Sequence, residues 1–452
     1  MQSQRKFGFN EKPPIMTTLL VSLQHLLAIT GGIITAPLII AMGMGLSLQD
    51  TSYMVSSSLV ISGLATLIQI HRIGSIGSGL LSMQGTSFTF IGPLIFSYST
   101  LIQQHTAEQA LAVIFGCCAA CSLVVMVLSQ FIVKLKRVIT TNVSGTTVIL
   151  IGISLVWTSL QNLLREYHQI SSDGGQAWLV LLLAAVVLVI TFALSLSKHP
   201  LVKITSITTG LVLGLTAAWF LGMVDLSKLD SFDNFFYPTV MHFSLGFDLS
   251  IFILLMPIFI ISATETIGDL TATAKLSDLP LGNYSYWQRI KGGVSGDAFN
   301  SFLAAMFSTF PNTSFSQNNG VIRLTGISSP YVGTYTALAL CLLGVFPVIG
   351  GLFILMPGAV LYGATLLMFF MVFLSGVAIV NSGAQKNRRW GVVIAAVACG
   401  LLLSFAIPYI DFIPSWLATF LTFPVSTGAV IALMVEVVTL KRDTPVVSES
   451  VV

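Results

Sequence analysis

Four ionisable residues lie within long apolar stretches of this chain. Glu265 and Asp269 occur in IISATETIGDLTATA, Asp297 occurs in GGVSGDAFNSF, and His25 occurs in VSLQHLLAIT. Glu265 and Asp269 are four residues apart, so a helix would place them on one face. In apolar surroundings such groups are costly, and they commonly bind ligands or carry protons. We therefore expect them to belong to a functional site.

Amide side chains are concentrated in a second segment, TSFSQNNGVIRLTG, at residues 313–326. Gln317, Asn318 and Asn319 follow one another beside Ser316. Because each amide offers both donors and an acceptor, such a cluster suits a flat ligand with polar groups around its rim. The segment predicts one wall of a binding site.

The composition is that of an integral membrane protein. Of the 452 residues, 55% are hydrophobic and only 8% are charged, whereas about a quarter are charged in soluble domains. Apolar runs long enough to cross a bilayer recur, as at 178–196 and 391–407. The polar first residues predict no removable signal peptide. The scattered basic residues do not imply nucleic acid.

We predict an all-α membrane protein with 14 transmembrane segments and both termini cytoplasmic. All 20 lysines and arginines except Arg165 and Lys228 then fall on the cytoplasmic side, in agreement with the positive-inside rule. Fourteen spans divide into two seven-span repeats, and because seven is odd the second repeat is inverted.

The third span of each repeat is interrupted. Span 3 (79–99) and span 10 (313–327) contain Gly or Pro, and both regions include Thr-Ser-Phe, at 86–88 and 313–315. Paired broken spans in matching positions are typical of a transporter with its site at the membrane midplane. We expect both spans to break there and to expose backbone groups to a ligand.

The ionisable residues also have purely structural interpretations. Asp269 could cap a helix end or pair with Lys275, Glu265 could form an ion pair, Asp297 could cap a helix start, and His25 could be a satisfied core histidine. The site interpretation is favoured because these groups fall in the first span of each repeat or close behind it.

The segment QNNGVIRLTG (317–326) fits the signature of the nucleobase–ascorbate transporter family, also called nucleobase:cation symporter-2. Gln317, Asn318, Gly320, Thr325 and Gly326 occupy all its fixed positions. The short segments QH, TETIGD and GDAF, which contain the four ionisable residues, also resemble that family. The likeness extends over essentially the whole chain. The chain resembles bacterial xanthine and uric acid permeases in particular. Uracil permeases usually have glutamate where this chain has Gln317.

The resemblance implies a homodimer in the bacterial inner membrane, each subunit with a core domain (spans 1–4 and 8–11) and a gate domain (spans 5–7 and 12–14). The corresponding residues are 1–14 for a cytoplasmic tail, 15–137 and 248–350 for the core, 138–247 (with an extracellular loop) and 351–440 for the gate, and 441–452 for a second cytoplasmic tail.

The resemblance also implies roles for the substrate-binding residues. Glu265 would accept hydrogen bonds from purine N–H groups, and Gln317 would pair with a ring carbonyl and a neighbouring N–H. Backbone groups near Phe88 and Ser316 would meet other polar edges, with the Phe88 ring against the base. The small Ser87 would leave room for the 8-oxo group of uric acid, although Ser87 could instead be a helix N-cap.

These features predict a proton-coupled symporter, not an enzyme, that imports xanthine, uric acid or both by movement of the core against the gate. No phosphate-binding loop of the P-loop type occurs, so we expect the proton gradient to drive uptake without a cofactor or metal. Asp297 and His25 are the predicted coupling pair, with Asp269 and Asn318 in a supporting network. The expected partners are a purine, protons and membrane lipid. Alternatives are a symporter for guanine, hypoxanthine or uracil, an anion transporter of the same fold, a channel, and a membrane enzyme.

Overall fold

The structure is a computed structural model, which describes residues 7–132, 141–172, 175–225, 227, 229, 234–381, 386–407, 410 and 413–440. The predicted tail 441–452 and part of the tail 1–14 lie outside the described residues. So do Lys228 and several of the basic residues that support the predicted orientation, namely Arg5, Lys6, Lys134, Lys136, Arg137, Lys441 and Arg442.

Apolar helices dominate the first half of the chain. Polar residues define several helix starts: Thr106 and Gln109 form a capping box at the start of the fourth helix, with Gln109 N donating to Thr106 Oγ1 at 3.3 Å. The elements are α1 (Ile15–Met44), α2 (Leu48–His71), β1 (Gln84–Thr86), a 3₁₀ turn (Phe88–Phe90), α3 (Ile91–Leu101), α4 (Ala107–Ser129), α5 (Thr141–Ser172), α6 (Trp178–Ser195), α7 (Pro200–Ile204) and α8 (Ser206–Phe220).

The second half has a similar order of elements. Asp248 caps its first helix, accepting a bond of 3.0 Å from Ile251 N, and Asn283 caps the next, accepting a bond of 2.8 Å from Tyr286 N. The elements are α9 (Leu249–Leu276), α10 (Tyr284–Met306), β2 (Asn312–Ser314), α11 (Gln317–Thr325), α12 (Pro330–Val345), α13 (Pro347–Ile354), α14 (Gly358–Asn381), α15 (Lys386–Ala406), α16 (Ser415–Thr422) and α17 (Pro424–Leu440).

Seven helices among the described residues are long and apolar enough to cross a membrane. They correspond to α1, α2, α4, α5, α6, α9 and α14. Shorter apolar helices, from 10 to 17 residues, account for further parts of the chain, including 206–220 and 330–345. The protein is therefore a mostly helical, multi-pass membrane protein, as its composition predicts.

The two strands depart from the all-α prediction. β1 pairs antiparallel with β2, with Gln84 opposite Ser314 and Gly85 opposite Thr313. Beyond the strands, Ser87 N donates to Pro311 O and Phe315 N donates to Met83 O, both at 2.9 Å. The physical reason is that backbone leaving a helix within the protein interior still needs hydrogen-bond partners. Each segment supplies them to the other.

The register of this sheet has two-fold symmetry. Thr86 and Thr313, which begin the two Thr-Ser-Phe tripeptides, are 227 positions apart. Gly85 pairs with Thr313, and Thr86 pairs with Asn312, which is the residue 227 positions after Gly85. Exchanging each residue for its counterpart thus returns the same pairing.

The helices pack in two groups. In one group α2 contacts α12 and α10, and α4 contacts α9 and α10; in the other, α14 contacts α5, α6 and α8, and α17 contacts α5 and α15. Glycines permit the closest approaches. A Cβ on Gly63 would lie 2.6 Å from Ala337 O, and a Cβ on Gly152 would lie 2.6 Å from Phe373 Cα. Residues 234–248, before α9, contact the first group: Gly246 N donates to Ala112 O at 2.8 Å.

Candidate substrate-binding cavity

A cavity of about 720 Å³ lies where the two strands meet α5, α9 and α14. Its polar lining includes Glu265 and Asp269 on α9 and Gln317 at the start of α11. Its apolar lining includes Phe88 and Met368. A cavity of this size, apolar with a few converging polar groups, is typical of a small-molecule site.

One wall of the cavity is formed where the strands end. The chain leaves β1 at Ser87 and enters the 3₁₀ turn at Phe88; it leaves β2 and enters α11 at Gln317, after Ser316. All four residues line the cavity. Since the first N–H groups of a helix have no partner within it, both starts present backbone donors and positive partial charge.

Ser87 does not cap the turn that follows it. Its side chain makes no capping hydrogen bond, and its Oγ is buried without a hydrogen-bond partner among the described residues. The N-cap interpretation of Ser87 is therefore not supported. Ser87 nevertheless belongs to the cavity lining.

Among the described residues, Thr89 is the hydrogen-bond donor to the Glu265 carboxylate. Thr89 Oγ1 donates to Glu265 Oε2 at 3.0 Å, with Oε1 at 3.3 Å. Asp269, one turn further along α9, also lines the cavity, and α9 continues beyond it to Leu276. Within the described part of the chain no lysine or arginine pairs with either carboxylate. The helix-end interpretation of Asp269 therefore does not apply, and the ion-pair interpretations find no partner among the described residues.

Asp297 lies behind the cavity wall and does not line it. It is buried within α10, which begins at Tyr284, so it does not cap a helix start. Its carboxylate accepts hydrogen bonds from Thr266 Oγ1, Ser314 N at 3.2 Å, Ser314 Oγ at 3.3 Å and Thr313 Oγ1 at 3.4 Å. Asp297 thus fastens β2 and α9 to α10.

The three consecutive amides make different contacts. Only Gln317 lines the cavity. Asn318 Nδ2 donates to Leu81 O at 2.5 Å, which ties α11 to the segment before β1. Asn319 accepts a bond of 2.7 Å from Thr273 Oγ1 and donates to the backbone oxygen of Asp269 at 3.3 Å. Two of the amides thus hold the wall in place and one faces the cavity.

The structure does not bring His25 to the cavity or to Asp297. His25 lies within α1 and is fully buried. Neither ring nitrogen has a hydrogen-bond partner among the described residues. Both the predicted pairing with Asp297 and the satisfied-core interpretation therefore lack a contact in this structure.

Sequence reasoning missed several polar residues of the cavity. Thr89 contacts Glu265, and Ser144 on α5 donates to Thr264 Oγ1 at 3.3 Å. Both hydrogen bonds join residues that are distant in sequence, so no local spacing could reveal them. Ser375 on α14 is a further cavity hydroxyl.

The chain is similar to known permeases along most of its length. The Permease family model matches residues 16–410. Xanthine permease XanP of Escherichia coli K12 is 38% identical over 96% of this chain and 95% of its own, and xanthine permease XanQ of the same strain is 32% identical over 96% and 93%. The uric acid–xanthine permease of Emericella nidulans is 30% identical over 87% and 74%.

Among solved structures, the transmembrane domain of the cyanobacterial bicarbonate transporter BicA has the same fold. It superimposes with a TM-score of 0.59 over 94% of this chain and 98% of its own, at 14% sequence identity. Together with the matching signature at 317–326, the family model and the permease relatives establish that this chain belongs to the nucleobase–ascorbate transporter family.

Proposed function

We propose that this protein is a proton-coupled symporter that imports a purine nucleobase, xanthine and/or uric acid. One observation carries the proposal: the five residues assigned to purine binding all line one cavity. They are Glu265, Gln317, Phe88, Ser316 and Ser87. They come from three separate segments of the sequence, so the fold must bring them together.

The chemistry of the cavity suits a purine. Glu265 has spare acceptor capacity beyond its bond from Thr89, so it accepts ring N–H groups. Gln317 offers a donor and an acceptor for a ring carbonyl and its neighbouring N–H. The ring of Phe88, 6.1 Å from those of Phe315 and Phe369, provides an aromatic surface for the flat base.

The choice of substrate rests on the relatives and on Ser87. Relatives of this chain are named for xanthine and for uric acid with xanthine. Ser87 has a small hydroxyl without a partner among the described residues, and it lines the cavity; its small size leaves space for an 8-oxo group. Guanine, hypoxanthine and uracil are the alternatives, and they differ from xanthine by a few polar rim groups.

Transport occurs by alternating access of a core domain (15–137 and 248–350) against a gate domain (138–247 and 351–440). The cavity is lined from both domains, since Ser144 and Met368 belong to the gate and Glu265 to the core. The loop at 234–247, predicted with the gate, contacts core helices and moves with the core in this proposal. The two-fold register of the strands supports 14 spans in two inverted repeats, with spans 3 and 10 broken.

Protons are the coupling ion in this proposal. Glu265 and Asp269 face the cavity without a basic partner in the described residues, so each is able to exchange a proton with it. Asp297 is linked to the cavity wall through Ser314. In this proposal Asp297 and His25, which are not in contact in this structure, both take part in coupling, with Asp269 and Asn318 in support. The protein works as a homodimer in the bacterial inner membrane, with both termini cytoplasmic.

An anion such as bicarbonate is a less favourable substrate. Two carboxylates line the cavity and repel negative charge. The likeness to the bicarbonate transporter, at 14% identity, concerns the fold alone.

The test is equilibrium binding of labelled xanthine to the purified protein. We expect saturable binding, competed by uric acid, and a loss of affinity of about tenfold or more in Glu265→Gln, because the amide no longer accepts from two N–H groups. Glu108→Gln, an exposed carboxylate in the first turn of α4, should leave the affinity unchanged. Absence of saturable binding for xanthine, uric acid, guanine and hypoxanthine would reject a purine site.

A further inference from the structure

Two hydrogen bonds join the proposed gate and core domains in the same manner. Thr208 Oγ1 on α8 donates to Leu27 O on α1 at 3.1 Å. Ser426 Oγ on α17 donates to Leu254 O on α9, also at 3.1 Å. Thr208 and Ser426 are each the third residue of their helix. In both bonds a gate hydroxyl donates to a core backbone carbonyl.

The two acceptors are related by the symmetry of the strands. Leu27 and Leu254 are 227 positions apart, the same separation as Thr86 and Thr313. In the proposed inverted repeats α1 and α9 are the first spans, while α8 and α17 are the last. The two bonds are therefore counterparts in the two halves of the molecule.

A third bond between the domains lacks a counterpart. Ser144 Oγ on α5 donates to Thr264 Oγ1 on α9, beside Glu265. The residue 227 positions before Thr264 is Pro37, which has neither a hydroxyl nor a backbone N–H. The equivalent bond therefore cannot form in the other half.

Symmetry distinguishes what the three bonds do during transport. In a transporter made of two inverted repeats, exchanging the conformations of the repeats converts one access state into the other. A contact present in both repeats is unchanged by the exchange. The Ser144–Thr264 contact joins the first repeat to the second, so the exchange would replace it with an equivalent contact at Pro37, and Pro37 cannot form that contact.

We propose that the hydrogen bonds from Thr208 to Leu27 O and from Ser426 to Leu254 O persist in both access states. The core then turns about these two contacts, and we call Thr208 and Ser426 the bearing residues. The Ser144–Thr264 bond is instead a latch that forms only in the state seen here. This inference rests on the proposed transport by two moving domains.

A disulfide between α1 and α8, next to the Thr208–Leu27 bond, tests directly whether this contact persists in both access states. A Cβ added to Gly31 would lie 3.4 Å from Thr208 Cβ, close to the spacing of about 3.5–4.5 Å in disulfides. In a variant whose five native cysteines are replaced by alanine, oxidised Gly31→Cys/Thr208→Cys should retain at least about half of the xanthine uptake of its reduced form. Oxidised Ser144→Cys/Thr264→Cys should lose uptake more than about tenfold, with recovery on reduction. Loss of uptake in the oxidised 31–208 pair, with recovery on reduction, would overturn the bearing assignment.

A second measurement needs neither a disulfide nor a substrate. With Ser375→Cys as a reporter in the cavity, the rate of labelling by an impermeant maleimide is compared in right-side-out and inside-out vesicles. Ser144→Ala should change the ratio of the two rates about fivefold, because it removes a bond present in one state. Thr208→Val and Ser426→Ala should leave the ratio unchanged. A shift in either of them as large as that in Ser144→Ala would contradict the inference, and this result does not depend on the identity of the substrate.

Discussion

Glu265 and Asp269 are carboxylates that the protein leaves available. Within the part of the chain that the structure describes, Glu265 receives one hydroxyl donor, from Thr89, and Glu265 and Asp269 both line the cavity. Asp297, in contrast, is held by Thr266, Thr313 and Ser314. A group that binds and releases a ligand needs unused hydrogen-bonding capacity, whereas a group that positions the wall uses all of it. The difference is consistent with the proposed roles, in which Glu265 contacts the purine and Asp269 supports proton coupling.

Gln317→Ala should weaken xanthine binding by about 5- to 150-fold, because it leaves rim groups of the purine unpaired at a cost of about 1–3 kcal/mol. Expression in the membrane should stay normal, since Gln317 lies at the cavity and is only partly buried. Binding and uptake of labelled xanthine measure the effect. Gln104→Ala, an exposed amide, is the control. Wild-type affinity in Gln317→Ala would remove Gln317 from the site.

Ser87→Asn should reduce recognition of uric acid more than that of xanthine. The larger side chain fills the space assigned to the 8-oxo group, and no capping bond is lost because Ser87 makes none. Inhibition constants of both purines for labelled xanthine uptake give the ratio. An unchanged ratio would show that Ser87 does not select between them.

The sequence was sufficient to identify the cavity-facing residues Glu265, Asp269 and Gln317 as candidates, through their polarity in apolar segments and their resemblance to a family. It was not sufficient for Thr89 and Ser144. These hydroxyls act through contacts with Glu265 and Thr264, 176 and 120 residues away. Such contacts depend on how helices pack, and a local pattern does not report them.

At the scale of elements, the paired strands place the helix starts at the cavity. The predicted span 79–99 includes β1, the 3₁₀ turn and most of α3, and the predicted span 313–327 includes most of β2 and all of α11. Glycine and proline indicate the irregular backbone, but the sequence of either segment does not predict that the two segments pair with each other. The pairing joins β1 in the first half of the chain to β2 in the second half, so it depends on how the two halves pack.

Gly85→Val should disrupt the strand pair. A Cβ at Gly85 would lie 2.6 Å from both Ile33 Cγ1 and Phe315 Cε2, closer than real side chains approach, so β1 or these two side chains must shift. We expect at least about a tenfold loss of uptake and a lower midpoint of thermal unfolding. Gly391→Ala, where a Cβ meets nothing within 4 Å, should have little effect. Wild-type uptake in Gly85→Val would show that the strand geometry does not set the site.

Asp297→Asn should abolish uphill accumulation of xanthine, even where some binding persists. An amide retains one acceptor oxygen for donors from β2 and α9, and it cannot release a proton. The accumulation ratio and the rate of equilibrium exchange are measured separately. Asp50→Asn, in the first turn of α2, is the control. Retained pH-driven accumulation in Asp297→Asn would exclude Asp297 from coupling.

At the scale of the whole molecule, the two groups of helices meet at the cavity. α9 contacts α17 and α16 of the other group, and α1 contacts α8, so the first helix of each half lies along the boundary. In the proposed mechanism, movement along this boundary changes access to Glu265 and leaves the packing within each group intact. The composition predicts a membrane protein of many helices, but the position of this boundary emerges only from packing.

The central claim, proton-driven purine transport, is tested most directly in proteoliposomes that contain only this protein. With sodium absent, labelled xanthine should accumulate above its external concentration when the exterior is made acidic relative to the lumen. An uncoupler should abolish that accumulation, and uric acid should compete with xanthine. Accumulation that ignores the pH gradient, or transport of bicarbonate without transport of any purine, would contradict the account.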